Sequence, residues 1–213
     1  MITTKQFIGA ASLGLASLVT TAATAQDTAD SDYAGLLGKR YYGIDFTLAD
    51  YRDNLDNGYG GTITANLPVS SVVDFRGSYH YNIVNGQKTD LEQHALQFDA
   101  VYYSRNFEYY TPFLTGGLGY GWDSWEFSGP VKNDNDEGFF FAIGAGVEVP
   151  FNEKTSAFGS ISFRDGVDSD VEDSWGLELG VSHWATERTA IKASVYIVED
   201  DSVTFRIGFR TQF

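Results

Sequence analysis

From Lys39 to the C-terminus, apolar and polar residues alternate at every second position in runs of roughly ten, each closed by a polar break. Period two is what a strand with one apolar and one polar face requires, because successive side chains point to opposite sides. Tyr42, Ile44, Phe46 and Leu48 alternate with Tyr41, Gly43, Asp45 and Thr47. Phe139, Phe141, Ile143, Ala145, Val147 and Val149 alternate with Gly144, Gly146 and Glu148. Val203, Phe205, Ile207 and Phe209 oppose Thr204, Arg206, Gly208 and Arg210. The same reading gives strands around 42–48, 59–67, 73–81, 96–102, 114–122, 139–149, 157–163, 175–181, 191–197 and 203–209, ten in all.

The breaks alternate as well. Segments 67–70, 104–109, 150–154 and 185–188 read as short turns, while 50–57, 84–92, 123–137, 165–173 and 199–202 read as more polar and mostly longer connections. Long and short connections alternating over an even number of antiparallel strands predict an all-β fold, a transmembrane antiparallel up-and-down β-barrel with both termini on the short-turn side. A tilted strand of about 9–11 residues spans a bilayer. A soluble β-sandwich also alternates, but it hides its apolar face and uses strands of about 5–6 residues. Here the apolar parity carries large rings near the run ends, namely Tyr42, Tyr59, Tyr81, Tyr102, Trp122, Trp175 and Phe213. Those positions fit aromatic belts at the headgroup level of a membrane. The barrel is the expectation.

The N-terminus reads differently. Lys5 precedes an apolar stretch from Phe7 to Val19, and Ala23-Thr24-Ala25 fits a small-residue cleavage site before Gln26. Residues 1–25 are therefore expected to be a signal peptide, since the stretch is shorter than the roughly 20 residues a spanning helix needs. Residues 26–38 are acidic and polar and are expected to form a mobile N-terminal periplasmic tail, leaving 39–213 as the barrel domain.

Composition narrows the function. The 213 residues include no Cys and three His, which argues against disulfide scaffolds, zinc fingers and thiol enzymes. A net charge of −15 argues against nucleic acid, whose phosphates call for clustered Lys and Arg. No cofactor is expected. Of the 29 acids, eighteen fall in the five longer connections and only five in strands: Asp45, Asp74, Asp99, Glu148 and Glu178. Five bases share their polar parity: Arg76, Arg164, Lys192, Arg206 and Arg210. A charge facing lipid at mid-depth costs about 2–4 kcal/mol, so these ten belong inside, as a lumen of compensating ion pairs. Gly117, Gly119, Gly121, Ser160 and Ser162 on the same face leave room there. Either a structural polar core or a narrow gated water path fits this arrangement.

The connections hold Arg52, Lys88 and Lys132 against their eighteen acids. Solvated hairpins kept soluble by charge explain this, and divalent cations bridging the loops to lipopolysaccharide phosphates are the functional alternative. The densest cluster is Asp165, Asp168, Asp170, Glu172 and Asp173, a weak metal candidate. Asp134-Asn135-Asp136-Glu137-Gly138 hints at a calcium loop, but its twelfth position is Ala145 and fails the EF-hand pattern. For catalysis, His80 and His94 flank the 84–92 connection and could meet at the outer rim near Asp90 or Glu92, while His183 sits beside Trp184 at the other end. No oriented nucleophile accompanies them, so no enzyme is expected.

The run from Thr111 to Gly121 (TPFLTGGLGYG) resembles the central P-x-x-x-G-x-G-x-G strand of the small Gram-negative outer-membrane barrel superfamily, of the OmpX and OmpA transmembrane-domain type. Ile143 to Glu148 resembles its following G-A-G-V-E strand. The last run, with Phe205, Phe209 and a carboxy-terminal Phe213, resembles its assembly signal. The common members have eight strands where the pattern here gives ten, so eight stays open as the alternative. The resemblance implies the cell outer membrane, with its lipid, lipopolysaccharide and barrel-assembly machinery as partners. The expected role is structural or surface-interacting, with an extracellular ligand taken by the loops and a largely plugged, ion-paired lumen. A narrow gated channel for small solutes or ions is the alternative.

Overall fold

The computed structural model describes residues 33–50, 55–86, 89–127, 134–167, 173–199 and 202–213. Ten strands follow in chain order: β1 (Tyr41–Asp50), β2 (Leu55–Pro68), β3 (Val73–Gly86), β4 (Thr89–Tyr103), β5 (Thr111–Phe127), β6 (Asp134–Asn152), β7 (Thr155–Gly166), β8 (Ser174–Trp184), β9 (Thr189–Val198) and β10 (Val203–Gln212). Each pairs antiparallel with its neighbours in sequence, and β1 pairs with β10 to close the barrel. The count is ten, so the eight-stranded alternative falls. Closure removes the free edges that an open sheet of this size would present.

The alternation sets which face is which. Along β1, Tyr41, Gly43, Asp45, Thr47 and Ala49 are buried while Tyr42, Ile44, Phe46, Leu48 and Asp50 are exposed. Leu48, Leu114 and Leu118 are 65, 57 and 65% exposed, and the outward side carries large apolar side chains on every strand. Water would not tolerate an apolar surface encircling a whole domain, whereas lipid supplies its natural partner. The core is thus inverted, with polar residues such as Asp45, Thr62, Asn66, Asp74, Glu148 and Arg210 among the most buried. Belt rings sit at both ends of the outer wall. Tyr42 stacks on Phe213 with centroids 4.0 Å apart at the short-turn end, and Trp122 and Tyr59 mark the other.

Two boundaries differ from the sequence expectation. The 123–137 connection is mostly strand: β5 and β6 stay in register through Trp122↔Glu137, Asp123↔Asp136 and Ser124↔Asn135 to Trp125↔Asp134. Similarly β3 and β4 pair out to Asn85↔Asp90. Hydrophobic alternation stops where lipid stops, but backbone pairing needs no apolar side chain and continues above the membrane. The second difference concerns the 26–38 segment. It is described from Tyr33 on, and there it turns into the barrel's short-turn mouth, with Ala34, Leu36 and Leu37 buried. Residues 1–32 lie outside the described residues, so the signal peptide and the rest of the expected tail do too.

Candidate functional site

The mouth and the lumen above it gather the polar chemistry of this fold. Residues 33–40 cross the mouth, held through their backbone by several different strands. The Glu148 carboxylate on β6 accepts the Leu36 N–H at 2.9 Å and the Leu37 N–H at 3.4 Å, and also the Tyr33 hydroxyl at 3.1 Å. On the facing wall, Asp74 of β3 accepts the Gly38 N–H at 2.9 Å, with Asn66 and Tyr103 as further donors. Asn66 also donates to the Lys39 carbonyl. Trp184 of β8 donates its indole N–H to the Ala34 carbonyl at 2.7 Å, and Arg105 reaches the Leu37 carbonyl at 3.1 Å.

Carboxylates thus take the segment's amides, and an indole and a guanidinium take its carbonyls, as buried backbone groups require. Gly38 makes the turn possible with φ of +76°, and a Cβ there would strike the Arg105 guanidinium and the Tyr103 hydroxyl. Burial among these groups, and then the Glu148 charge, pushes the Tyr33 phenol far above its ordinary range. It stays a donor.

Higher in the lumen the charged residues divide into small groups. Arg210 on β10 donates to Asp45 on β1 at 2.7 Å, diagonally across the closing seam. Two glycines make this fit: a Cβ at Gly43 would meet the Arg210 side chain, and one at Gly208 would meet Asp45. Glu178 accepts from Lys192 at 3.0 Å and from Ser194 at 2.7 Å, with an Arg206 nitrogen at 3.9 Å. Arg76 lies opposite Asp99 in the β3–β4 register and donates its Nε–H to the Asn66 side-chain Oδ1 at 3.4 Å. Arg164 packs over the Phe140 ring. Asp74 and Glu148 bind the mouth segment and make no ion pair within 4 Å among the described residues.

Of the inward glycines expected to leave room, Gly117 is met by Asp99 and Gly119 by Phe140, while Gly121 has only ordinary contacts, the nearest at 3.7 Å. Gly119 lies across the strand from Phe140, Gly146 from Phe113 and Gly180 from Phe158, and in each pair the ring fills the space a Cβ would take. Tyr196 covers Gly176 in the same way. Sequence reading placed Tyr196 on the polar parity but missed Phe113, Phe140 and Phe158, and Trp184 with them. The available signal was parity: Phe140 falls between Phe139 and Phe141, and Trp184 follows Ser182 on the polar face.

The histidines do not converge. His80 faces the lumen, with Nδ1 2.9 Å from the Thr62 hydroxyl and Nε2 3.1 Å from the Ser78 hydroxyl. His94 lies on the lipid side, stacked on Trp122 at 5.0 Å and bonded to the Tyr79 hydroxyl at 2.8 Å. The expected meeting at the outer rim fails because the two residues have opposite parity. His183 contacts Thr155 on the outer face. Of the loop acids, Asp168, Asp170 and Glu172 lie outside the described residues, and no group of three metal-binding side chains forms among those described. Phe205, Phe209 and Phe213 all face lipid, with exposures near half.

Comparison with known proteins agrees with this geometry. The model of the outer membrane protein beta-barrel domain matches residues 11–166. No curated protein matches the chain. Among solved structures, the translocator domain of the autotransporter NalP from Neisseria meningitidis superposes with a TM-score of 0.52 at 10% identity, covering 100% of each chain. The transport unit of the autotransporter AIDA-I from Escherichia coli gives 0.51 at 10% identity, covering 93% of this chain and 98% of that one. At such identity the likeness is one of fold.

Proposed function

The chain belongs to the outer membrane protein beta-barrel domain family, and we propose that it serves there as a closed barrel, structural or surface-interacting rather than conducting. The protein resides in the cell outer membrane, so its short turns face the periplasm and its acidic connections face outward. One observation carries the closed reading. Residues 33–40 are tied across the periplasmic mouth to β2, β3, β6 and β8 at once, through Asn66, Asp74, Glu148 and Trp184. Each tie is made in a low-dielectric interior, where such a network is rigid when all its members are satisfied.

Its partners in this reading are outer-membrane lipid, lipopolysaccharide, the assembly machinery that reads the terminal strand, and a surface ligand taken by the acidic loops. The runner-up, a narrow channel, requires the mouth segment to leave. The test is planar-bilayer recording of the intact, refolded chain at two salt concentrations, with insertion confirmed by heat-modifiable migration. Silence from an inserted barrel supports closure. Steady conductance steps from the intact chain overturn it and install the channel.

A further inference from the structure

Among the described wall residues, five inward cations face six inward carboxylates, the sixth being Asp123 of β5, which accepts from Gln93, but the balance is not local. Asp74 and Glu148 sit at the mouth, filled by N–H and O–H donors of the segment and wall. Asp45 is committed to Arg210, and Asp99 stands opposite Arg76. On the β7–β10 side this leaves three cations, Lys192, Arg206 and Arg164, with Glu178 as their one carboxylate among the described residues. Lys192 holds the near position, Arg206 stands off at 3.9 Å, and its Nε has no hydrogen-bond partner among the described residues.

These groups are contiguous. The Arg206 guanidinium lies 4.7 Å over the Tyr196 ring, the Tyr196 hydroxyl reaches Ser162 on β7 at 3.5 Å, and Arg164 is the next inward residue of β7. Arg164 is exposed and the Arg206 side chain is 24% exposed, although both face inward. With the periplasmic mouth occupied, that exposure opens toward the outer end.

We infer that the outer half of the lumen is a binding cup for a small oxyanion, carrying phosphate or carboxylate, held by Arg206 and Arg164 with the Tyr196 and Ser162 hydroxyls between them. Excess positive charge inside a barrel surrounded by lipid needs a counter-charge. Guanidinium groups flanking hydroxyls supply the charge-assisted donors that oxyanions take. The acidic loops do not forbid this, because exposed charges are screened within about 8 Å at physiological salt whereas lumenal ones are not. The inference goes beyond the closed-barrel reading and stands whether or not the barrel conducts.

The test is NMR of the isotope-labelled chain in micelles, titrated with inorganic phosphate and, separately, with acetate. The Arg206 and Arg164 Nε–Hε signals shift together and saturate, while Arg40 and Arg188 at the periplasmic rim do not respond. Potassium chloride at matched ionic strength gives no such saturation. Arg206→Gln and Arg164→Gln each weaken binding about tenfold or more, as loss of a charge-assisted bond predicts, and Arg206→Lys retains part of it. Unsaturated shifts, a matching response to chloride, or unchanged binding in an Arg206→Gln/Arg164→Gln barrel that still folds would overturn the cup. Saturation by phosphate alone assigns the phosphate class, and saturation by both ions assigns the shared oxyanion chemistry.

Discussion

The Glu148 carboxylate receives the backbone N–H of Leu36 at 2.9 Å, although 112 residues separate the two in sequence. The contact joins β6 to the segment that precedes β1, so residues that are not part of the wall are bonded across its mouth. Most of these hydrogen bonds go to the segment's backbone, with the Tyr33 hydroxyl as the side-chain donor and Gly38 setting the turn.

Glu148→Gln keeps the size of the side chain but turns one acceptor oxygen into a donor facing the segment's amides. Losing a hydrogen bond to a charged group costs about 1.5–3 kcal/mol. The expected outcome is a rise of roughly 10- to 100-fold in the time the segment spends released, read as brief conductance bursts in planar bilayers. A Glu148→Gln barrel as silent as the parent would show that Glu148 does not hold the mouth.

Tyr33 gives the mouth a pH dependence of defined sign. Docked, its phenol is held above the ordinary range by burial and by the Glu148 charge. Released, it ionises near 10. Below that pH both states keep the proton and docking is insensitive to it. Above it only the released state loses the proton, so docking weakens as pH rises. Burst frequency between pH 8 and 11 should therefore climb past about 10. Tyr33→Phe should flatten that climb, and a slope that persists in this variant would place the titration elsewhere.

The inward rings show what was legible in the chain and what was not. Ten strands and their outward faces follow from period two, as in β1, where every predicted outward residue is exposed, and the closed antiparallel order follows from the alternation of short and long connections. The mouth segment was not legible, because a polar acidic stretch has no periodicity and its partners lie in five distant places. The glycine niches were half legible. Gly119 and Phe140 are both visible on the polar parity, but only the register sets them opposite one another. Gly119→Val puts a branched side chain against the Phe140 ring, and overpacking of this kind costs about 1–3 kcal/mol. Urea unfolding in lipid vesicles should show that loss. Adding Phe140→Leu should recover part of it, and strict additivity of the two changes would argue against the niche.

The seam between the first and last strands carries the most exacting prediction. Asp45 and Arg210 meet across it at 2.7 Å with side chains only 7% and 4% exposed, while Tyr42 and Phe213 stack on its lipid side. Breaking a buried pair by removing one partner leaves an uncompensated charge, which costs about 3–5 kcal/mol. Asp45→Asn strands Arg210, and Arg210→Gln strands Asp45, whose other oxygen already lacks a partner among the described residues. Each single variant should close slowly and migrate as unfolded at lower temperature than the parent. The Asp45→Asn/Arg210→Gln double variant replaces the pair with two amides that can bond each other, and it should regain most of the loss. Because the pair joins strands that meet only when the barrel closes, the deficit should appear in the folding rate as well as in stability. A double variant no better than the worse single one would show that the two residues act independently, and that the seam is held by its backbone ladder and outer rings alone.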